Sequence, residues 1–280
     1  MIGRFYRFLM RMYTRVKDDD IFALGAQMAY YLILSFFPFL IFLIALVNYI
    51  PISSGEVLRN LLTILPYEAY ILVRDIVVEV VDTRTQGLAS ISGILALWFA
   101  SNGIGAIISG LNKAYDEREK RTFVKVRFIS IVFTLLISLV IVISFILLVF
   151  GGVIKKQLLD DIELTPVTQG AWNTGRYIFI SSVILFIFLA LFKYGPSRRL
   201  KWRETIPGAA FSTLGWLGTS IGFSYYVDNF ANYSAFYGSI GGVAILLIWL
   251  YFSAVVILLG GELNAALIYN KHQKKGGSHI

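Results

Sequence analysis

Six long apolar segments constrain this chain more than any other feature of its sequence. A helix that crosses the hydrocarbon core of a bilayer, about 30 Å thick, needs roughly 20 consecutive apolar residues. Six segments meet that requirement, at about 21–49, 88–111, 128–152, 177–192, 206–227 and 239–268. Because hydrocarbon offers no hydrogen bonds to backbone groups, such segments fold as helices. The sequence therefore predicts an all-α fold, a polytopic membrane helical bundle with six transmembrane helices in residues 21–270.

The charged residues fit this interpretation in number and in position. They make up only 15% of the 280 residues, whereas a soluble domain has about 25%. Of the 25 lysines and arginines, 19 lie in the N-terminal arm, the connections at 113–127 and 193–203, and the C-terminal tail. Because lysine and arginine are enriched on the cytoplasmic side, we predict that the N and C termini are both cytoplasmic. This topology accounts for the net charge of +8, so we expect no nucleic-acid partner.

Two segments outside the predicted spans are amphipathic. In residues 1–20, apolar residues recur at helical spacing, and four arginines fill the opposite face: Arg4, Arg7, Arg11 and Arg15. A basic amphipathic helix lies on an anionic membrane surface. We therefore predict that these arginines bind lipids of the inner leaflet, either as a simple anchor or by specific lipid recognition. Helical spacing occurs twice more in residues 55–82, which predicts a helical hairpin on the outer surface. Residues 271–280 are predicted to form a polar cytoplasmic tail.

Polar and small residues inside the apolar segments indicate either helix packing or a pathway, because polar groups are costly in hydrocarbon. Ser101 and Asn102 lie near the middle of the second segment. The face that carries them either contacts another helix or lines a polar cavity. In the fifth segment Gly218 and Gly222 form a GxxxG pair, which favours tight packing, although so many glycines could equally allow the helix to flex. Pro38 interrupts the first segment and predicts a kink.

The last apolar segment carries a carboxylate and an amide close to its predicted cytoplasmic end. About 20 residues of helix after Ser239 reach the opposite boundary of the bilayer, so we expect Glu262 and Asn264 at the inner rim of the bundle. Their expected partners are basic residues on that side, such as Arg198, Arg199 and Arg203. Glu262 is then either one half of a structural ion pair or a gate or proton-linked carboxylate.

Several strings together resemble the YihY/BrkB family of bacterial inner-membrane proteins, over nearly the whole chain. They are AYYLILSFFPFL at 29–40, IPGA at 206–209 and YGSIGGVAILLIWLYFSAVVILLGGELNAAL at 237–267. The residues that carry the resemblance are Tyr30, Tyr31, Ser35, Pro38, Pro207, Gly208, Tyr237, Gly238, Trp249, Gly261, Glu262 and Asn264. The resemblance implies a multi-pass helical bundle in the bacterial cytoplasmic (inner) membrane. Family members have been called a virulence factor and a tRNA-processing ribonuclease, and some have been linked to movement of envelope lipids, including lipopolysaccharide precursors.

From the residues and the resemblance we expect a transporter or translocation factor for amphipathic envelope lipids. The alternatives are an envelope scaffold that binds other proteins without transport, and a transporter of small solutes or ions. The candidate pathway residues are Tyr30, Tyr31, Pro38, Ser101, Asn102, Tyr237, Glu262 and Asn264. We expect no enzyme, ribonuclease included, and no cofactor or metal site, because the sequence has no cysteine and its two histidines lie in the tail. No oligomeric state follows from the pattern.

Overall fold

The computed structural model describes residues 2–47, 55, 58–59, 62, 70–71, 74, 78, 88–159, 166–230 and 241–276. In this part of the chain the structure is helical, without a strand. The helices are α1 (Ile2–Asp18), α2 (Ile21–Val47), α3 (Leu88–Ala114), α4 (Phe123–Leu159), α5 (Pro166–Tyr194), α6 (Trp202–Phe230) and α7 (Gly241–Gly276). The predicted all-α class is confirmed for the described residues.

Four of the described helices are long and apolar enough to cross a membrane. Their apolar stretches are Ile21–Leu43, Gly93–Ala114, Phe123–Ile143 and Gly241–Tyr269. α5 contributes a shorter apolar stretch, Ile178–Tyr194, and α6 is rich in glycine, serine and threonine. Large apolar side chains also face outward, among them Leu214 at 72% exposure and Ile221 at 71%. A surface of this kind is unfavourable in water, and it indicates a membrane protein.

The core of the bundle lies where α2, α3 and α7 meet. Ile108 on α3 and Leu258 on α7 are among its fully buried side chains. Glycine lets the three helices approach closely, since a Cβ on Gly110 would lie 2.8 Å from Met28 Sδ and 2.9 Å from Leu258 Cδ2. A larger residue at position 110 would therefore push α3 away from both neighbours.

Small residues also allow α6 to cross α7 closely, near the start of α6. A Cβ on Gly208 would collide with the carbonyl oxygen of Gly260, and a Cβ on Gly260 would collide with Ser212 Oγ. The sequence left two alternatives for Gly218 and Gly222, tight packing or a helix that can flex, and the described residues do not show tight packing there. No described atom comes within 4 Å of a Cβ at either position. The close contact lies earlier in α6, where Gly208 and Ser212 are one turn apart.

Polar side chains join the loops at one end of the bundle. We call the end that carries α1, loop 115–122 and loop 195–201 the basic end. Arg121 links its two loops, since its guanidinium donates to the carbonyl oxygens of Tyr194 at 3.1 Å and Gly195 at 2.6 Å. These bonds satisfy carbonyl groups at the end of α5 that have no partner within the helix.

Glu119 holds Arg121 in this position. Its two carboxylate oxygens accept from Arg121 Nε at 2.8 Å and Nη2 at 2.7 Å, and Asn112 Nδ2 donates to the same carboxylate at 2.8 Å. The hydrogen bond from the Arg121 side chain stabilises the charged carboxylate most, and the Arg121 amide and Asn112 add to it. Partial burial acts in the opposite direction but is outweighed, so the pKa of Glu119 is lowered to about 2. The loop network therefore stays ionised through the physiological pH range.

The helices extend beyond several of the predicted spans. α4 continues to Leu159, past the predicted end at 152, and α5 begins at Pro166 rather than near 177. α7 runs to Gly276, so the first part of the predicted tail continues the last helix. α2 passes through Pro38 to Val47, and the predicted kink stays a prediction.

Some predicted features lie outside the described residues. The outer hairpin at 55–82 is described only at isolated positions, and Tyr237 is not described. The side chains of Arg4 and Arg7 are likewise outside the description, although the backbone of α1 includes both residues. Arg11 is exposed on the same helix.

Candidate functional site

A cavity of about 660 Å³ opens between α2, α3 and α4. Its polar lining residues are Gln27, Tyr31, Ser35, Asn102, Ser109, Arg127 and Ser130. The apolar lining includes Leu34, Phe99 and Phe123, and these three side chains are also exposed on the outer surface of the bundle. The cavity is therefore open between the helices, and it combines a polar interior with an apolar rim.

Ser101 and Asn102 lie on the side of α3 that meets α4. Arg127 Nη1 donates to Ser101 Oγ at 3.0 Å and to Asn102 Oδ1 at 2.7 Å. Ser101 is fully buried and donates its own hydroxyl to the Trp98 carbonyl at 2.8 Å, whereas Asn102 is exposed. The two alternatives that the sequence left open are both present, since this face bonds to a neighbouring helix and also lines a cavity.

Among the described residues that line the cavity, Arg127 is the one with a charged side chain. Its guanidinium carbon lies 3.8 Å from the centroid of the Trp98 ring, a geometry in which the ring face attracts the cation. In the described part of the chain no aspartate or glutamate forms an ion pair with Arg127. Its Nε is buried and has no hydrogen-bond partner there. The positive charge is thus held by neutral groups and one aromatic ring.

A second cluster lies at the basic end, where Arg15 of α1 reaches α7. Arg15 Nε donates to Glu262 Oε2 at 2.6 Å, and Nη2 donates to the Ala114 carbonyl at 2.9 Å. The same guanidinium lies 3.2 Å from a carboxylate oxygen of Asp116. Glu262 is fully buried, and its Oε1 has no hydrogen-bond partner among the described residues. The turn between α1 and α2, in which Asp20 has a φ of 49°, places α1 against the end of α7.

This pairing corrects two expectations. The partner of Glu262 was expected among Arg198, Arg199 and Arg203, but it is Arg15, and Arg198 lies 4.0 Å from Glu117 instead. Arg15 was expected to bind the membrane surface with Arg4, Arg7 and Arg11. Its side chain is only 22% exposed, because the guanidinium is turned into the bundle.

Asn264 binds the start of α6. Its Oδ1 accepts from the Gly208 amide at 2.7 Å, and its Nδ2 donates to the Thr205 carbonyl at 3.3 Å. Pro207 precedes Gly208 and has no amide hydrogen of its own, so this turn of α6 is irregular in its hydrogen bonding. Asn264 is fully buried, and its two hydrogen bonds join α7 to this turn of α6.

The acidic residues of loop 115–122 are each paired with a basic side chain. Asp116 contacts Arg15, Glu117 contacts Lys120 at 3.6 Å, and Glu119 contacts Arg121. Among the residues that the structure describes, no group of three or more histidine, aspartate or glutamate side chains is placed to hold a metal ion.

Comparison with known proteins decides the family. A family model described as Virulence factor BrkB matches residues 12–279. The chain belongs to the BrkB family. It is 40% identical over 268 residues to YfkH of Bacillus subtilis (strain 168), which is named only provisionally as a ribonuclease-like protein, and 96% of each chain is covered. No solved structure matches.

More distant relatives of this BrkB-family chain are named as membrane proteins. A UPF0761 membrane protein of Tolumonas auensis is 25% identical, over 93% of this chain and 85% of that protein. A second, from Alteromonas mediterranea, is 27% identical over 90% of this chain and 85% of its own length. The resemblance stated from the sequence is confirmed.

The predicted pathway residues of this BrkB-family chain fall into two groups. Tyr31, Pro38 and Asn102 line the cavity, with Ser101 bonded to Arg127 beside them. Tyr30 does not line it, and its ring packs edge-on against Tyr31 with the centroids 5.5 Å apart. Glu262 and Asn264 belong to the separate contacts of α7 with α1 and α6. Whether either group forms a pathway stays a prediction.

Sequence reasoning missed Arg127 and Trp98. Arg127 was counted with the basic connection at 113–127, but α4 begins at Phe123, so Arg127 already lies one turn inside a helix. The available signal was local, since Arg127 stands between Val126 and Phe128 at the start of a long apolar run. An arginine in that setting is costly unless it has a role.

Proposed function

We propose that the chain is a multi-pass protein of the bacterial cytoplasmic membrane that translocates amphipathic lipids. The observation that carries this proposal is the cavity between α2, α3 and α4. A lipid headgroup needs polar partners, whereas its acyl chains need an apolar exit. Asn102 and Gln27 offer polar partners for the headgroup. The exposed Leu34, Phe99 and Phe123 offer an apolar exit for the acyl chains.

The dimensions of the cavity support the same proposal. Sites for small ligands occupy about 300–1,000 Å³, and the volume of about 660 Å³ suits a headgroup together with the first carbons of its chains. α2 and α4 both pack on α3, with the cavity between them. A lipid in this position would keep its tails in the hydrocarbon while its headgroup moves along α3.

The topology that we propose has six crossings, with the basic end in the cytoplasm. Basic residues are enriched at cytoplasmic loops, and the loops of this end carry Arg118, Lys120, Arg121, Arg198, Arg199 and Lys201. α5 and α6 supply the two crossings beyond the four apolar stretches. α6 is accommodated because its small residues pack against α7 rather than facing lipid alone.

Lipid translocation by the purified protein tests the proposal. Fluorescent lipid is placed in both leaflets of proteoliposomes, and the fraction that becomes accessible to an external quencher is followed. A Cβ on Gly105 would meet only Ser130 Oγ, at 3.7 Å, so Gly105→Leu should fold and fill the cavity. We expect this variant to lower the translocation rate at least about tenfold, a loss of roughly 1.4 kcal/mol.

Gly218→Leu is the matched control. It introduces the same side chain into a membrane helix, at a position with no described atom within 4 Å, and should translocate at the wild-type rate. Wild-type liposomes that match protein-free liposomes would exclude lipid translocation. If those liposomes instead take up small solutes, and Gly105→Leu alone stops the uptake, the solute-transport alternative holds.

We also propose that the chain is not a nuclease, although its relative YfkH is named as ribonuclease-like. Asp116, Glu117 and Glu119 are engaged by basic partners at the basic end. Metal-assisted cleavage needs carboxylates free to bind an ion. Turnover of RNA by pure protein that is lost on Glu119→Gln would contradict this proposal.

A further inference from the structure

We propose that Arg127, stacked on Trp98 and oriented by Ser101 and Asn102, is an oxyanion site that binds the phosphate of a lipid headgroup. This inference rests on the lipid cavity proposed above and specifies the group that the cavity recognises. The observation behind it is that the positive charge of Arg127 has no negatively charged partner among the described residues.

Arg127 differs from the arginines that pair with carboxylates in the described part of the chain. Arg15 pairs with Glu262, Arg121 with Glu119 and Arg198 with Glu117. Arg127 has no such carboxylate in the described part of the chain, and it lies in an apolar helix rather than in a loop. A cation in such a place is costly without a counter-charge. A bound anion would supply one.

The guanidinium has donors left for a ligand. Its hydrogen bonds to the described residues both come from Nη1, to Ser101 and Asn102. Nη2 and Nε make none there, and Nε is buried. Arginine binds phosphate with two parallel N–H···O bonds from one side of its fork, and Nε and Nη2, which share one side, are the pair that the described residues leave without hydrogen bonds.

Trp98 makes this site more specific than a single flexible arginine. The ring lies 3.8 Å from the guanidinium carbon and covers one face of the planar group. Stacking leaves the edges of the guanidinium, which carry all its N–H donors, free for hydrogen bonds. The two bonds to α3 then fix the direction in which the remaining edge points.

The rest of the cavity selects an anion with an apolar body. None of the described residues that line it is acidic, and Gln27, Tyr31 and Ser109 add neutral polar groups. A cationic ligand would find no counter-charge among them. The exposed rim residues Leu34 and Phe123 favour a lipid phosphate over free phosphate, since a soluble anion gains nothing from them.

Binding of a matched lipid pair to the full-length protein tests the site. Phosphatidic acid and diacylglycerol with the same acyl chains differ only in the phosphate, and native mass spectrometry of the detergent-solubilised protein gives both affinities. We expect wild-type protein to prefer phosphatidic acid by about ten- to a hundredfold, as for a charge-assisted hydrogen-bonded pair. Equal affinity for the two lipids would overturn the proposal without any variant.

Variants assign the preference to Arg127. Arg127→Gln should remove the preference, and Arg127→Lys should restore only part of it, because lysine keeps the charge but not the fork. Arg199→Gln, which removes the same charge from an exposed position at the basic end, should bind as wild type. Trp98→Leu should weaken phosphatidic acid binding several-fold and provides a second variant if Arg127→Gln does not fold. An unchanged preference in Arg127→Gln, or in Trp98→Leu if only that variant folds, would contradict the site.

Competition with glycerol phosphate and inorganic phosphate distinguishes the source of the anion. Displacement of phosphatidic acid by either soluble anion at equal concentration would overturn the lipid assignment. The translocation proposal fails separately. Protein that binds phosphatidic acid through Arg127 but moves no lipid would retain the site and lose the transport function. Protein that moves lipids at the same rate whatever the charge of the headgroup, and equally well in Arg127→Gln, would retain the transport function and lose the phosphate site.

Discussion

Glu262 is a buried acid whose charge is balanced from the opposite end of the chain. Its carboxylate is fully buried and 2.6 Å from Arg15 Nε, so the two side chains stabilise each other in a place where neither is stable alone. The sequence predicted that Glu262 would have a basic partner at this end but named the wrong arginines. Periodicity places a residue on a face of its own helix, and it carries no information about which distant helix packs against that face.

Replacement of Glu262 tests this pair at the residue scale. Glu262→Gln leaves Arg15 with the exposed carboxylate of Asp116 and, at 3.9 Å, the carboxylate of Asp19, and should destabilise the protein by about 2 kcal/mol. In detergent this corresponds to a fall of roughly 5 °C in Tm. Glu204→Gln is the control, because the bond that Glu204 accepts within the described residues comes from the nearby Lys201 amide, and glutamine can accept the same bond.

A double-mutant cycle shows whether the two residues act together. Arg15→Gln leaves the Glu262 charge buried without its partner, so it should cost more than Glu262→Gln. The double variant should then lose less than the sum of the single losses, by about 1 kcal/mol or more. Additive losses would mean that the two side chains are not coupled.

The same limit explains why Arg127 was missed while Asn102 was found. A polar amide in the middle of an apolar segment can be recognised from the sequence alone. The structure places that amide, Asn102, at a cavity. Arg127 lies near a basic loop in sequence, and only the start of α4 at Phe123 moves it into the bundle. Positions near a helix boundary are therefore the ones that composition assigns least well.

At the scale of the elements, small residues and loop networks fix how the helices meet. The glycine content of α6 was visible in the sequence, but no described neighbour lies within 4 Å of a Cβ at Gly218 or Gly222, while Gly208 meets Gly260. A GxxxG spacing shows that a helix can be approached closely. It does not show where the neighbour crosses, which depends here on Asn264 of α7 bonding to the first turns of α6.

The loop network at the basic end has a predictable pH dependence. Arg121 holds the pKa of Glu119 at about 2, below its ordinary value of 4.5. A depressed folded-state pKa means that this carboxylate stabilises the fold fully above about pH 4.5 and loses its contribution as the pH falls towards 2. The difference in Tm between wild type and Glu119→Gln, measured in detergent, should be positive at pH 6 and fall towards zero near pH 2. A difference that is constant over this range would contradict the assignment.

At the scale of the whole molecule, the apolar segments predicted the helices, and four of them are long and apolar enough to cross a membrane. Hydrocarbon imposes helical structure on any segment that enters it, so this level of the fold could be predicted from composition and length. Which helices pack against each other could not be predicted. The lipid-facing and the inward-facing sides of these helices are both apolar, so the hydrophobic pattern scarcely distinguishes them. The cavity likewise depends on the relative placement of three helices.

The six-crossing topology can be tested directly, since the sequence contains no cysteine. Single cysteines are introduced at Lys120 and Ser278, predicted to be cytoplasmic, and at Thr85, predicted to be outside. A membrane-impermeant maleimide applied to intact cells should label Thr85→Cys alone, and should label all three after the cells are permeabilised. Labelling of Ser278→Cys in intact cells would place the C terminus outside and exclude an even number of crossings with a cytoplasmic N terminus.

The contact between Arg15 and Glu262 spans 247 positions of sequence, and this has a consequence for biogenesis. A ribosome releases Arg15 long before Glu262, so α1 cannot complete its contact with the bundle until α7 is made and inserted. A polypeptide that ends before residue 262 lacks the buried carboxylate with which Arg15 pairs, and retains only the weaker contacts with Asp19 and Asp116. The buried contact of α1 with α7 therefore forms only in a copy that includes α7, and α1 is held less firmly in a copy truncated before it.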